Sequence, residues 1–186
     1  MANRRNNSKG QHCIGLLILL AALVEIAVCH AQSPLSGEAQ IRADIIYNLT
    51  KFVEWPAWKL GDTGKPFVIG VVGDKSVAKE LDDYLRGKKV QGIPIIVESI
   101  TTAQQAEQCH IVYVESSGSN QFKEMFPDLF QAAVLTIGVN PLGDSGIVIG
   151  LPLVENRIQI EVDLKNAGKS KLTISSRLLR IARVVR

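Results

Sequence analysis

His110 stands at the head of the apolar run CHIVYV, and Ser116 and Ser117 follow it closely. A histidine near a serine is the raw material of hydrolysis, because the imidazole can take the proton that the nucleophile must lose. The arrangement is incomplete. No G-x-S-x-G elbow surrounds the serines, so the tight turn that presents such a nucleophile is missing. A metal site would need partners for His110, and no His-x-His, Cys-x-x-Cys or close acidic cluster supplies them. His110 is therefore expected to be a structural residue, and Cys109 beside it an inert core thiol.

Two other patterns resemble chemistry and fall short. GVVGDKS has the glycines of a phosphate-cradling turn but lacks the G-K-[ST] ending of a nucleotide loop and the third glycine of a dinucleotide fingerprint. It is expected to be a tight strand-to-helix turn capped by Asp74 or Ser76. Asp82 and Asp83 lie beside Lys79 and Arg86, the pattern of a solvated helix face. No catalytic residue, metal ligand or cofactor contact is assigned, and an enzyme is not expected.

Surface features carry more. Phe52, Trp55 and Trp58 cluster around Pro56, and both tryptophans of the chain are among them. Large aromatics anchor interfaces, yet a tryptophan at such a junction also seals a domain's own core. Near the other end, SSRLLRIARVVR places Leu178, Ile181, Ala182 and Val185 on one arc of a helical wheel, with Arg177, Arg180, Arg183 and Arg186 spread over the opposite half; the first three of these arginines join the aromatics as candidates. These aromatics and arginines are the candidate partner-binding residues. A solvated basic face is the simpler alternative for the arginines.

Whatever these residues do, the first thirty-one residues say where. Arg4, Arg5 and Lys9 precede an apolar run over 14–23, and small residues follow at Cys29 and Ala31. That is the layout of a secretory signal peptide, with cleavage expected after Ala31 and export to the periplasm. A retained anchor and a lipid on Cys29 are the alternatives. Without the leader, Lys+Arg falls from 21 to 18 and Asp+Glu from 18 to 17, so the net charge drops from +3 to +1. The basic balance of the whole chain is then no argument for nucleic acid. Cys13 and Cys29 leave with the leader, so Cys109 has no intramolecular disulfide partner.

The remaining 155 residues, 32–186, suit one domain with its own core. Ile41, Ile45, Leu49, Phe52 and Val53 recur at helical spacing, predicting an amphipathic helix over 38–53 that stops before Pro56. FVIGVV, IPIIVES, CHIVYV and AVLTIG predict buried strands, with helices over 76–86, in TTAQQAEQ and in SNQFKEMFPDLF. GKKVQG is a polar link. The alternation predicts an α/β fold: a mostly parallel sheet flanked by helices in a single compact domain. GIVIGLPLVENRIQIEV adds an antiparallel hairpin turning at 155–157, and the chain closes on the helix that carries the arginines.

Taken in order, KFVEWP, FVIGVVGD, GKKVQGIPIIV, CHIVYV, ENRIQIEVDL and ISSRLLRIARVVR resemble the YfiR family of periplasmic bacterial proteins, over about 39–186. The resemblance implies a repressor that binds the sensor region of an inner-membrane diguanylate cyclase and so restrains cyclic-di-GMP signalling and biofilm formation. Related domains accompany sensor histidine kinases, and a homodimer is possible within that picture. Family disulfides stabilise the fold, a device that the lone Cys109 cannot supply here. The alternative function is a periplasmic small-solute-binding protein without catalytic activity, since an open α/β sheet offers a crevice at its strand ends.

Overall fold

The computed structural model describes residues 37–60, 64–115, 122–126, 129–142 and 146–185. The expected leader, with Cys29, and Ser116 and Ser117 lie outside the described residues. The helix α1 (Gly37–Leu49) buries Ala43, Ile46 and Leu49. Its inner face is turned from the one expected, and Ile41 is 54% exposed. The helix also ends earlier than the 38–53 predicted. Phe52 N–H bonds back to the Leu49 carbonyl at 2.9 Å, a tightening that finishes the last turn. Val53 then leaves for β1 (Val53–Glu54), followed by the short helix α2 (Ala57–Leu60).

The β-branched run Phe67–Val72 forms β2, and α3 (Lys75–Leu85) follows it. The supposed polar link is a hairpin arm, β3 (Lys89–Val90), paired antiparallel with β4 (Ile93–Ser99). Gln91 and Gly92 between them take φ values of 50° and 86°, the left-handed pair that a two-residue hairpin needs. The helix α4 (Ala103–Gln108) starts on a reciprocal capping box of Thr102 and Gln105. Then come β5 (Ile111–Val114), α5 (Phe122–Met125), a 3-10 turn Leu129–Ala132 and β6 (Leu135–Gly138).

The second half departs from simple alternation. β7 (Ile149–Gly150) and β10 (Glu161–Asp163) pair antiparallel in the main sheet, and between them β8 (Leu153–Val154) and β9 (Arg157–Ile158) form the expected hairpin. α6 (Leu164–Lys169), β11 (Thr173–Ile174), α7 (Ser176–Leu179) and β12 (Arg183–Val185) complete the chain.

The terminal helix expected over 175–186 is largely absent. Ser175 caps one turn that buries Leu178, after which the Arg183 N–H meets the Ile160 carbonyl at 2.8 Å and the chain runs parallel to β10. Ile181, placed on the buried arc, is 71% exposed. Val184 and Val185 favour extended backbone, and an open sheet edge offers pairing that an isolated last helix could not match.

The main sheet has eight strands in the order β12-β10-β7-β6-β5-β2-β4-β3. Pairing is parallel from β4 through β2, β5, β6 and β7. Side chains alternate across it. Phe67, Ile69, Val71, Ile111, Tyr113, Leu135 and Ile137 face the core shared with α1 and α3. Val72, Val112 and Val114 face a second core with Ile100, Cys109, Phe122 and Phe126. Both faces are covered, as a parallel sheet requires.

Candidate functional site

The candidate aromatics and arginines, more than a hundred residues apart in sequence, are brought onto adjoining segments by two backbone contacts. Val53 pairs with Ile174 and Glu54 with Thr173 in the small β1–β11 sheet. The Phe52 carbonyl accepts the Ser175 N–H at 2.8 Å, and Ser175 is the cap of the helix that carries Arg177. Lys171, just before β11, sets its ammonium 5.9 Å from the centre of the Trp58 ring. Trp58 is 60% exposed, and Arg177 and Arg180 are exposed. Lys171 and Trp58 thus make one basic and aromatic contact, and Arg177 and Arg180 follow on the segment after β11.

Three of the six candidates are occupied by the domain itself. Trp55 is 6% exposed, meets Phe67 edge to face at 5.3 Å and donates its indole N–H to the His110 carbonyl at 3.1 Å. A side chain so enclosed seals the core and offers no docking surface. Phe52 is half-buried against the main core. Arg183 is exposed but its guanidinium bonds Glu161, whose carboxylate is buried and also accepts the Leu142 N–H at 2.8 Å. Its first duty is to that carboxylate, because a buried charge needs a partner.

The remaining sequence-level assignments fall as follows. Asp74 caps α3 by accepting the Ser76 N–H at 2.8 Å, so the GVVGDKS turn is a capped turn. That bond also lowers the Asp74 pKa. Cys109 ends α4 and is fully buried, and burial pushes its thiol up to about 11. His110 precedes β5, with its ring stacked on Phe67 at 4.4 Å. Its Nδ1 accepts the Val68 N–H at 3.0 Å.

The strand order reverses between β2 and β5, where open α/β sheets place their ligands. A cleft of about 140 Å³ lies there, lined by Arg42, Ala43, Glu80, Tyr113 and Glu115 among others. A larger cleft, about 480 Å³, lies beyond the opposite strand ends and includes Trp58, Lys59, Lys65, Glu107 and His110. Sequence reasoning singled out neither Arg42 nor Lys59. The one available signal was the position of Lys59 directly after Trp58. Among the described residues, no group of three or more His, Cys, Asp or Glu could hold a metal, and no helix is long and apolar enough to cross a membrane.

A doubly covered, mostly parallel sheet with an antiparallel extension is the class of domain that these elements define. The family model described as YfiR/HmsC-like matches residues 39–183, and the chain belongs to that family. Among solved structures, a conserved domain protein from Vibrio cholerae O1 biovar El Tor str. N16961 is similar, with a TM-score of 0.53 at 14% identity over 80% of this chain. The match spans 60% of that chain's length and supports the fold alone. No curated protein matches significantly.

Proposed function

We propose that this protein is a periplasmic regulator that binds the periplasmic region of an inner-membrane diguanylate cyclase, or of a related sensor kinase, and holds its output low. Membership of the YfiR/HmsC-like family over 39–183 carries this reading. Low cyclic-di-GMP and restrained biofilm formation follow from it. The rim of Trp58, Arg177 and Arg180, with Lys171 over the indole, supplies the surface: an exposed aromatic anchor beside cations suits an acidic sensor face.

Crosslinking in intact cells, affinity capture and mass spectrometry of the captured membrane proteins test the reading. A membrane protein with a periplasmic sensor region and a cyclase or kinase output is the expected partner. Capture of none, with unchanged cyclic-di-GMP in a strain lacking this protein, defeats it.

A further inference from the structure

The larger cleft is lined by two hydrogen-bond donors whose protons the fold does not fully place. The first is His110, 6% exposed. Because Nδ1 accepts the Val68 N–H, the neutral ring carries its proton on Nε2. Burial keeps that ring neutral, its pKa pushed down to about 4. The Nε2–H is buried and makes no well-formed hydrogen bond among the described residues, the Lys59 backbone offering it only a poorly aligned acceptor. Buried donors are rarely left so, since the lost hydration is not repaid.

The second donor is the Lys59 ammonium. It gives one hydrogen bond, 2.7 Å long, to the Glu107 carbonyl, and desolvation draws its pKa down to about 8. An ammonium has three protons to place, and a carbonyl takes one. The Lys59 charge is also felt at the His110 ring, so the two groups act on the same space. Among the described residues of the lining, Lys65 adds a further positive charge and Glu107 the one negative charge. Lys171 at the Trp58 ring leaves the surroundings cationic.

We propose that this cleft binds a small molecule through an oxyanion, a carboxylate or phosphate group, held between the Lys59 ammonium and the His110 Nε2–H. One oxyanion has enough lone pairs to accept from both donors at once. The cleft, about 480 Å³, has room for a body beyond the anion, and the exposed face of Trp58 can cover it. The site shares Trp58 with the proposed docking surface, but its argument does not rest on the regulatory reading above.

Titration calorimetry of the purified protein with inorganic phosphate, and separately with benzoate, provides the test. Saturable binding of either probe is expected, weakened at least about tenfold in Lys59→Gln and unchanged in a Glu54→Gln control. Binding of phosphate alone assigns a phosphate group, binding of benzoate alone a carboxylate, and binding of both a general oxyanion site. A shift of the histidine Nε2–H resonance that disappears in His110→Gln locates the anion at that ring. Should His110→Gln fail to fold, Lys59→Gln decides alone. No binding of either probe below ~10 mM, or binding that survives Lys59→Gln, overturns the proposal. Either result leaves the sensor capture experiment, and the reading it tests, unaffected.

Discussion

Arg183 Nη1 lies 2.9 Å from Glu161 Oε1, and the carboxylate it meets is only 3% exposed. The two residues are register partners on parallel strands β12 and β10, so the pair fastens the last strand to the sheet. Replacing Arg183 with Ala leaves Glu161 buried with the Leu142 N–H as its remaining bond among the described residues. Because the arginine itself is exposed and screened, the cost is set at about 1–3 kcal/mol, below that of a fully buried pair. Denaturant midpoints measure it. Adding Glu161→Gln should return part of the loss, whereas Arg180→Glu alone should stay within about 0.5 kcal/mol of the parent.

The neutral, buried His110 makes stability depend on pH. Its folded pKa of about 4 lies below the ordinary value of 6.5, so between these values the unfolded chain binds more protons. Stability therefore falls as pH drops from 6.5 toward 4 and levels off below, by about 3 kcal/mol at most. Thermal unfolding across that range checks it. A flat profile that His110→Gln leaves unchanged would place the imidazole in water.

Gly70 shows why a glycine occupies the middle of a core strand. A Cβ there would stand 2.7 Å from Cys109 Sγ and 2.8 Å from Ile100 Cδ1. Gly70→Ala should cost about 1–3 kcal/mol by overpacking. Shortening the thiol in Gly70→Ala/Cys109→Ala should recover part of it, giving a coupling of at least about 0.5 kcal/mol in a double-mutant cycle. The same enclosure predicts slow labelling of native Cys109 by thiol reagents, in keeping with its raised pKa.

Strands whose apolar runs are β-branched, such as FVIGVV and CHIVYV, were legible because their signal is local, and so was the short helix in TTAQQAEQ. Non-local pairing was not. Nothing around Val53 announces Ile174, yet that pairing ends the first helix early and joins the segment after the first helix to the one that leads into the arginines. The terminus misled for a related reason. Leu178, Ile181 and Val185 fit a helical wheel, but β10 offered a free edge and the last residues took it. At the site, exposure divided what sequence could not: Trp55 went inward and Trp58 outward. That His110 and Lys59 line one cleft becomes visible only once the fold has placed them together.

The docking role given to the rim makes the last prediction, and it must spare the groups that hold the fold. Arg183 is excluded by its bond to Glu161, and Leu178, at 1% exposure, marks the core limit: Leu178→Asp should unfold the domain. Arg177 and Arg180 are exposed, and Trp58 projects from α2. Arg177→Glu/Arg180→Glu should therefore leave the unfolding transition within about 0.5 kcal/mol of the parent while reversing the sign of the rim. Binding to an acidic sensor surface should weaken, chiefly through slower association, a difference that added salt narrows by screening. In cells, loss of the repressor contact should raise cyclic-di-GMP toward the level of a strain lacking the protein, and Trp58→Ala should act in the same direction. A folded double arginine variant that still captures the sensor and leaves cyclic-di-GMP unchanged would remove the rim from the interface.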